Sequence, residues 1–259
     1  MSRIKKIWEY RDLLIVFAWR EFVIRYRQSI IGILWAVIQP LSMMLLFTFV
    51  FSIILDVRIS DKPYPLFFYL GALPWTFFSS SLHYAIPSLT NHYGLITKIY
   101  FPREILPMSY IAVALVDFLI ATLCLALLLV VYRVHLTWNA LWFIPLTLIL
   151  IIFTIAVAVF LSGLNVYYRD VKAATGFLVQ IWFFASPVMY SIDQVDFKLK
   201  LILFLNPLTF IIENMRRCVL EGRAVIWWQF LVMTGLILLF FALCYRFFES
   251  IERSFADVI

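Results

Sequence analysis

Long uncharged stretches separated by short charged linkers dominate the chain. The first runs from Ile30 to Leu55, 26 residues without a charge. At about 1.5 Å per residue a helix of that length exceeds the roughly 30 Å of a bilayer's hydrocarbon layer. It is too long for a signal-peptide core and no small-residue cleavage pattern follows, so it is expected to remain as a helix. Further spans are predicted at Leu66–Leu89, Pro107–Tyr132, Trp142–Val166, Ala173–Ile192 and Ile226–Phe248. Pro74 and Pro87 fall in the second span and predict a kink or break there, because each removes a backbone donor. Pro187 falls near the end of the fifth. The pattern predicts an all-α integral membrane protein with six transmembrane helices.

Two segments do not fit as spans. Residues 1–28 mix charged and aromatic positions, and Tyr10, Leu13, Leu14, Phe17 and Ile24 fall on one helical face that Glu21 interrupts. A helix lying in the cytoplasmic interface fits this pattern; the alternative is a plain positively charged anchor. Asp193 to Val225 contains Leu199–Leu205, then Asn206-Pro207, then Leu208–Leu220 with Glu213, Arg216 and Arg217. Neither apolar piece is long enough to cross. A hairpin of two short helices, re-entering or lying at the outer interface, is expected, against the alternative of an amphipathic surface loop. The expected organisation is one domain: interfacial helix 1–28, six-helix body 30–248 with the external hairpin 193–225, and cytoplasmic tail 249–259.

Charge sets the expected orientation. Seven Lys or Arg precede the first span: Arg3, Lys5, Lys6, Arg11, Arg20, Arg25 and Arg27. With Lys98, Arg103, Arg169, Lys172, Arg246 and Arg253 that side carries 13. The opposite side carries 8: Arg58, Lys62, Arg133, Lys198, Lys200, Arg216, Arg217 and Arg223. The bias predicts that both termini are cytoplasmic. Composition agrees with one membrane domain, since 64% of residues are hydrophobic and 14% charged, against roughly 25% charged in soluble domains. The net charge of +6 does not indicate nucleic acid, because the basic residues flank apolar runs and form no stripe.

Candidate chemistry is sparse. Cys124, Cys218 and Cys244 have no C-x-x-C spacing, and His83, His92 and His135 have no ligand spacing, so neither a disulfide framework nor a metal site is expected. No phosphate-binding glycine loop, H-E-x-x-H or G-x-S-x-G is present. No cofactor is expected in this chain, and any ATP-driven work would need a separate ATPase. Asp117 is the one acid deep in a span; a charge there costs about 2.5–3.5 kcal/mol on insertion, so it should face protein or water. A polar pair between helices or a transport-coupling role are the two readings. Two aromatic clusters adjoin prolines: Trp75, Phe77 and Phe78 after Pro74, and Trp182, Phe183 and Phe184 before Pro187, with Tyr190 beyond. Broken backbone at membrane depth is tolerated where it lines a cavity, and rings offer broad, adaptable contact to a sliding chain. The linker Asn91–Leu106 sets Lys98, Arg103 and Glu104 beside Ile99, Tyr100 and Phe101, an apolar knob with charged flanks suited to docking on a partner.

Five motifs bring these features together. They are R-Y-R-Q-S-I-I-G-I-L-W-A-V-I-Q-P at 25–40, I-T-K-I-Y-F-P-R-E-I-L-P at 96–107, G-L-N-V-Y-Y-R-D at 163–170, Q-I-W-F-F-A-S-P-V-M-Y-S at 180–191 and N-P-L at 206–208. In this order and spacing the chain resembles, over nearly its whole length, the permease subunits of type-2 ABC exporters of polysaccharides such as O-antigen, teichoic acid and capsule. The resemblance implies a homodimer around a central channel, two copies of a cytoplasmic ABC ATPase that carries the ATP and Mg²⁺, and a polyprenyl-pyrophosphate-linked polysaccharide as substrate in the bacterial cytoplasmic membrane. It implies an external gate from the hairpin, with Asn206, Pro207, Glu213 and Arg216. It assigns ATPase contact to the N-terminal helix and to Lys98, Tyr100, Phe101, Arg103 and Glu104. Trp75, Phe77, Phe78, Trp182, Phe183 and Tyr190 are the expected channel lining. Rivals are an ABC permease for a drug or lipid, a membrane glycosyl or acyl transferase, which would want several polar catalytic groups at one membrane face, and a proton-coupled transporter, which would want more intramembrane acids.

Overall fold

The computed structural model describes residues 8–27, 29–55, 63–252 and 255. Arg3, Lys5, Lys6, Arg58, Lys62 and Arg253 of the charge count, Gln28 of the first motif and most of the tail lie outside the described residues. Among the described residues the chain is helical and carries no strand. The elements in order are α1 (Arg11–Tyr26), α2 (Trp35–Thr48, preceded by a 3₁₀ turn and continued by a π-helical turn, Phe49–Ile54), α3 (Tyr64–Ala85), two short turns of helix α4 (Ser88–Asn91) and α5 (Tyr93–Ile96), and α6 (Ile105–Val131). Then follow α7 (Phe143–Tyr167, entered by a 3₁₀ turn at Trp138–Trp142), α8 (Asp170–Phe184), α9 (Phe197–Phe204), α10 (Pro207–Val219) and α11 (Trp227–Glu252).

Four stretches are long and apolar enough to cross a membrane: Gly32–Ile54, Ile105–Val131, Trp138–Tyr167 and Trp227–Glu252. These match the first, third, fourth and sixth expected spans. The second expected span is α3, whose 22 residues extend about 33 Å at 1.5 Å per residue. It is the centre of the fold: 16 of its residues are buried against α2, α6, α7, α8 and α10. The fifth is shorter than expected. α8 has 15 residues and ends at Phe184, and 185–191 are turns, so Pro187 lies beyond the helix and not within its end. Pro74 does not break α3, since a membrane helix tolerates the lost donor where neighbouring helices enclose it. Pro87 acts as expected of a terminator: α3 stops at Ala85 and the chain turns.

Two apolar clusters fix the arrangement. The larger is built on α3, α6, α7 and α10. The smaller gathers Phe101 and Ile105 at the start of α6, Val166 at the end of α7 and Phe248 at the end of α11, so these helix ends share one end of the bundle. Tyr10, Leu13, Leu14 and Phe17 of α1 pack on that cluster, as the apolar face predicted, whereas Ile24 stays exposed. α1 then continues along the first half of α6. Phe17 meets Phe101, Glu21 approaches His92 at 3.6 Å, and Arg25 reaches Asp117. The predicted hairpin helices are α9 and α10. α10 is inserted among α3 and α7 with most of its residues buried, so it is no surface loop. It lies at the other end of the bundle, where the Thr137 hydroxyl and the Asn139 amide donate to the Gly222 carbonyl.

Asp117 is a polar pair between helices. The Arg25 guanidinium donates to one carboxylate oxygen at 2.6 Å, the Tyr26 hydroxyl donates to the other at 2.5 Å, and Arg25 stacks over Tyr84. The pair lies 12 residues, about 18 Å, from the start of α6, where a lone charge is costly. Asp117→Leu strands the Arg25 charge and is expected to destabilise the purified protein by about 3–5 kcal/mol, whereas the double variant Arg25→Met with Asp117→Leu recovers most of that loss. Melting temperature in detergent reads the difference; a double variant as unstable as the single one contradicts the pairing.

Candidate functional site

The broken end of α8 is where the sequence-predicted residues converge. Once the helix stops at Phe184, the carbonyls of the following turns need donors, and water is scarce at membrane depth. Two side chains from the hairpin supply them. Asn206, at the start of α10, accepts from its own helix at Leu208 N (3.1 Å) and from the Trp182 indole (3.1 Å). Its amide donates to the Ser186 hydroxyl at 2.8 Å and the Ala185 carbonyl at 3.3 Å. Pro207 follows at the first helical position, where its missing donor costs nothing. The N-P-L motif is therefore both a helix cap and a clamp on the end of α8.

Arg216, nearly three turns further along α10, is 3% exposed. Its guanidinium donates to the carbonyls of Pro187 (2.6 Å), Val188 (2.6 Å) and Phe67 (3.1 Å), and to the Glu213 carboxylate at 2.9 Å. It also lies over the Phe67 ring at 3.5 Å. The planar, multi-donor group suits three carbonyls and a carboxylate at once, which a lysine could not match. Burial holds the Glu213 carboxyl above the usual carboxylate range despite the attraction of Arg216. Gly71 on α3 makes room: a Cβ there would collide with the guanidinium and stand 2.8 Å from the Val188 carbonyl oxygen. Sequence reasoning missed Gly71, although a glycine inside an apolar helix is itself a signal of close approach.

Of the six rings expected to line a path, four form one contiguous group at the joint of α3 and α8. Trp75 meets Phe183 at 5.4 Å, and Phe78 meets Trp182 at 5.0 Å and stacks on Phe153 of α7 at 5.6 Å. Phe77 points the other way, against Phe118 of α6, and Tyr190 sits apart, its hydroxyl donating to the Phe184 carbonyl. Trp75, Phe77 and Phe78 are buried in the chain's own core, so they shape the joint and present little open ring surface; Trp182 and Phe183 are half-buried.

The linker before α6 divides in the same way. Lys98, Ile99 and Tyr100 are exposed, Tyr100 at 81%. Phe101 is 2% exposed and plugs the smaller cluster, so the expected docking knob at Phe101 is turned inward. Glu104 is also buried; it accepts from the Tyr245 hydroxyl of α11 at 2.6 Å, and the Arg103 backbone N donates to Glu252. Both residues bind the linker to the end of α11. The motif at 163–170 is structural as well. Gly163 admits the Phe248 ring, and Asn165 accepts from Lys172 N in the first turn of α8 while donating to Thr90.

Fold and site define an all-helical membrane protein with a hairpin wedged into a broken helix. Residues 12–220 match the ABC-2 type transporter family, and the chain belongs to it. The O-antigen export system permease protein RfbA of Myxococcus xanthus is 29% identical over 258 residues, 99% of this chain and 98% of the relative. RfbA of Klebsiella pneumoniae is 29% identical over 252 residues, 96% and 95% of the two chains. The polysialic acid transport protein KpsM of Escherichia coli is 24% identical over 208 residues, 78% and 79% of the two chains.

Removing the clasp should be severe and neutralising its acid mild. Arg216→Met leaves three carbonyls without a donor and is expected to cost about 3–5 kcal/mol. Gly71→Ala should come close to it. Glu213→Gln keeps an acceptor for Arg216 and should cost little. Because burial raises the Glu213 carboxyl, its contribution is present at pH below the ordinary carboxylate value and is lost as pH rises through the raised one. Melting curves across pH check this: the Gln variant loses that dependence, and an Arg216→Met protein as stable as the parent contradicts the clasp.

Proposed function

We propose that this chain is the permease subunit of an ABC transporter that exports a lipid-linked polysaccharide, O-antigen-like in kind, across the bacterial cytoplasmic membrane. The observation that carries the reading is its correspondence, over 99% of its own length and 98% of the relative's, with a protein named as an O-antigen export permease. The relative named for polysialic acid transport supports a long glycan as cargo. Two copies enclose the path, and two copies of a separate ATPase bind below and hold the ATP and Mg²⁺. The N-terminal helix, the 92–104 linker and the tail face the cytoplasm, and the 193–225 hairpin gates the outer side. The charge bias supports this orientation, as does the packing of α1 and the linker at the opposite end of the bundle from α10.

Coupling follows from the linker. Tyr100, with Ile99 and Lys98, is the exposed apolar surface with a charged flank that a partner's groove takes up. Phe101 and Glu104 transmit the push, because they fix the linker to α6 and α11. A displaced linker then moves both helices as rigid bodies.

Disruption of the chain in its own cells tests the reading. Surface polysaccharide should disappear while its lipid-linked precursor accumulates inside, and the wild-type chain should restore export. The Tyr100→Ala, Lys98→Glu variant should insert normally yet recover several-fold less ATPase on co-purification. Surface polysaccharide unchanged by disruption, together with ATPase activity stimulated by small amphiphiles, contradicts a glycan cargo and points to a drug or lipid exporter.

A further inference from the structure

Thr76, Ser79, Ser80 and His83 recur at the three-and-four spacing of one helical face. In an otherwise apolar stretch that spacing is unexpected, and the structure explains it. Between Leu66 and Ala85 of α3 these four and Tyr84 are the residues that are not buried. The one accessible face of the central helix is thus its polar face. Lipid-facing helices elsewhere look different: on α6 the exposed positions are all apolar, Leu119, Leu123, Leu127 and Val130 among them. Turned to hydrocarbon, the Ser80 hydroxyl and the His83 imidazole would lack partners at a cost of several kcal/mol each. This face therefore meets water or a hydrated ligand.

Two cavities lie along it, of about 220 and 320 Å³. Both are walled by Gln39, Thr76, Ser80 and Tyr84, so they are two lobes of one groove. α3 forms its floor, and α2 and α8 flank it through Gln39 and Thr175. One lobe ends on the Arg25–Asp117 pair, the other on His83. The side chains of Gln39, Ser80 and His83 make no hydrogen bond to another group among the described residues. Beside Gly176 the groove is open, with nothing within 4 Å of where a Cβ would stand.

We infer that this groove is the carbohydrate-contacting stretch of the transport path, a binding surface for sugar hydroxyls within the membrane; the inference rests on the proposed cargo. Gln39, Ser80 and His83 hold no hydrogen-bond partner among the described residues, and the Ser79 and Thr175 hydroxyls, which donate to carbonyls of their own helices, keep lone pairs free; such side chains exchange hydrogen bonds with successive hydroxyls as a glycan moves. Tyr84 and His83, edge to face at 5.2 Å, add ring surface for the apolar faces of sugar rings. The Arg25 charge is spent on Asp117, so the groove offers weak, repeated polar contact and no anion trap. Many weak sites let a polymer enter and leave, where one tight site would stall it. The rings at the α3–α8 joint shape this groove from behind.

Cysteine accessibility tests it in membranes holding the whole complex, with Cys124, Cys218 and Cys244 replaced. Ser80→Cys is expected to react with a charged, water-soluble methanethiosulfonate at least ten-fold faster than Ser81→Cys, whose position is fully buried on the same helix. Saturating lipid-linked glycan should slow the Ser80→Cys reaction several-fold, and Thr76→Val with Ser80→Ala should reduce glycan export with assembly intact. Equal, slow reaction at both positions overturns the hydrated groove. Fast reaction that glycan does not slow, in a complex that still exports glycan, overturns the contact with sugar. A parent complex that moves no glycan is a separate result: it removes the proposed cargo and the inference with it.

Discussion

A buried guanidinium is what the hairpin end of this membrane domain depends on. α8 stops short of a full crossing, and the turns after it present carbonyls where water cannot serve them. Arg216 supplies donors to Pro187 and Val188 of those turns and to Phe67 of the central helix, while Asn206 caps its own helix and clamps Ala185 and Ser186. The cost of burying the charge is offset because four of its five N–H groups meet acceptors, three carbonyls and the Glu213 side-chain oxygen. The consequence is mechanical: α10, the end of α8 and the start of α3 cannot move separately. A hairpin held this way moves with the helix joint beneath it, as the proposed gating role requires.

The opposite end shows the same logic with different chemistry. There an apolar plug, Phe101, and a buried acid, Glu104, fix the linker to α6 and α11, and α1 lies along α6 as far as the Arg25–Asp117 pair. α3 joins the two ends. Its first turns meet the Arg216 clasp, its middle carries the ring joint with α8, and its accessible face is polar. In the proposed reading, a push on the linker travels through α6 onto the helix whose polar face touches the cargo.

Much of this was legible in the sequence for a physical reason. The hydrocarbon layer demands long apolar runs, so the membrane class and four of the spans could be placed within a few residues, and a hairpin too short to cross stood out by length. The positions of Asn206, Glu213 and Arg216 were visible because polar residues in an apolar hairpin need a reason. What the sequence hid was where neighbours lie. Nothing in the run around Pro187 told that the helix stops at Phe184, since the residues beyond are apolar and held by a side chain some 30 positions away. Phe101 and Tyr100 look alike as apolar neighbours in a linker, yet one fills a cluster and the other stands in the open. The partner of Asp117 is 92 residues distant. Burial in a membrane protein is decided by packing, and apolar composition on both lipid and core faces removes the usual contrast.

The central claim is that this chain, with an ATPase, moves a polysaccharide across a membrane. Inside-out vesicles holding the purified pair and a lipid-linked glycan on their outer leaflet measure it directly, by how much glycan becomes protected from an added glycosidase. Protection that rises with ATP and is absent with a non-hydrolysable analogue is the expected result. Glycan that stays fully accessible while the complex hydrolyses ATP would contradict the claim.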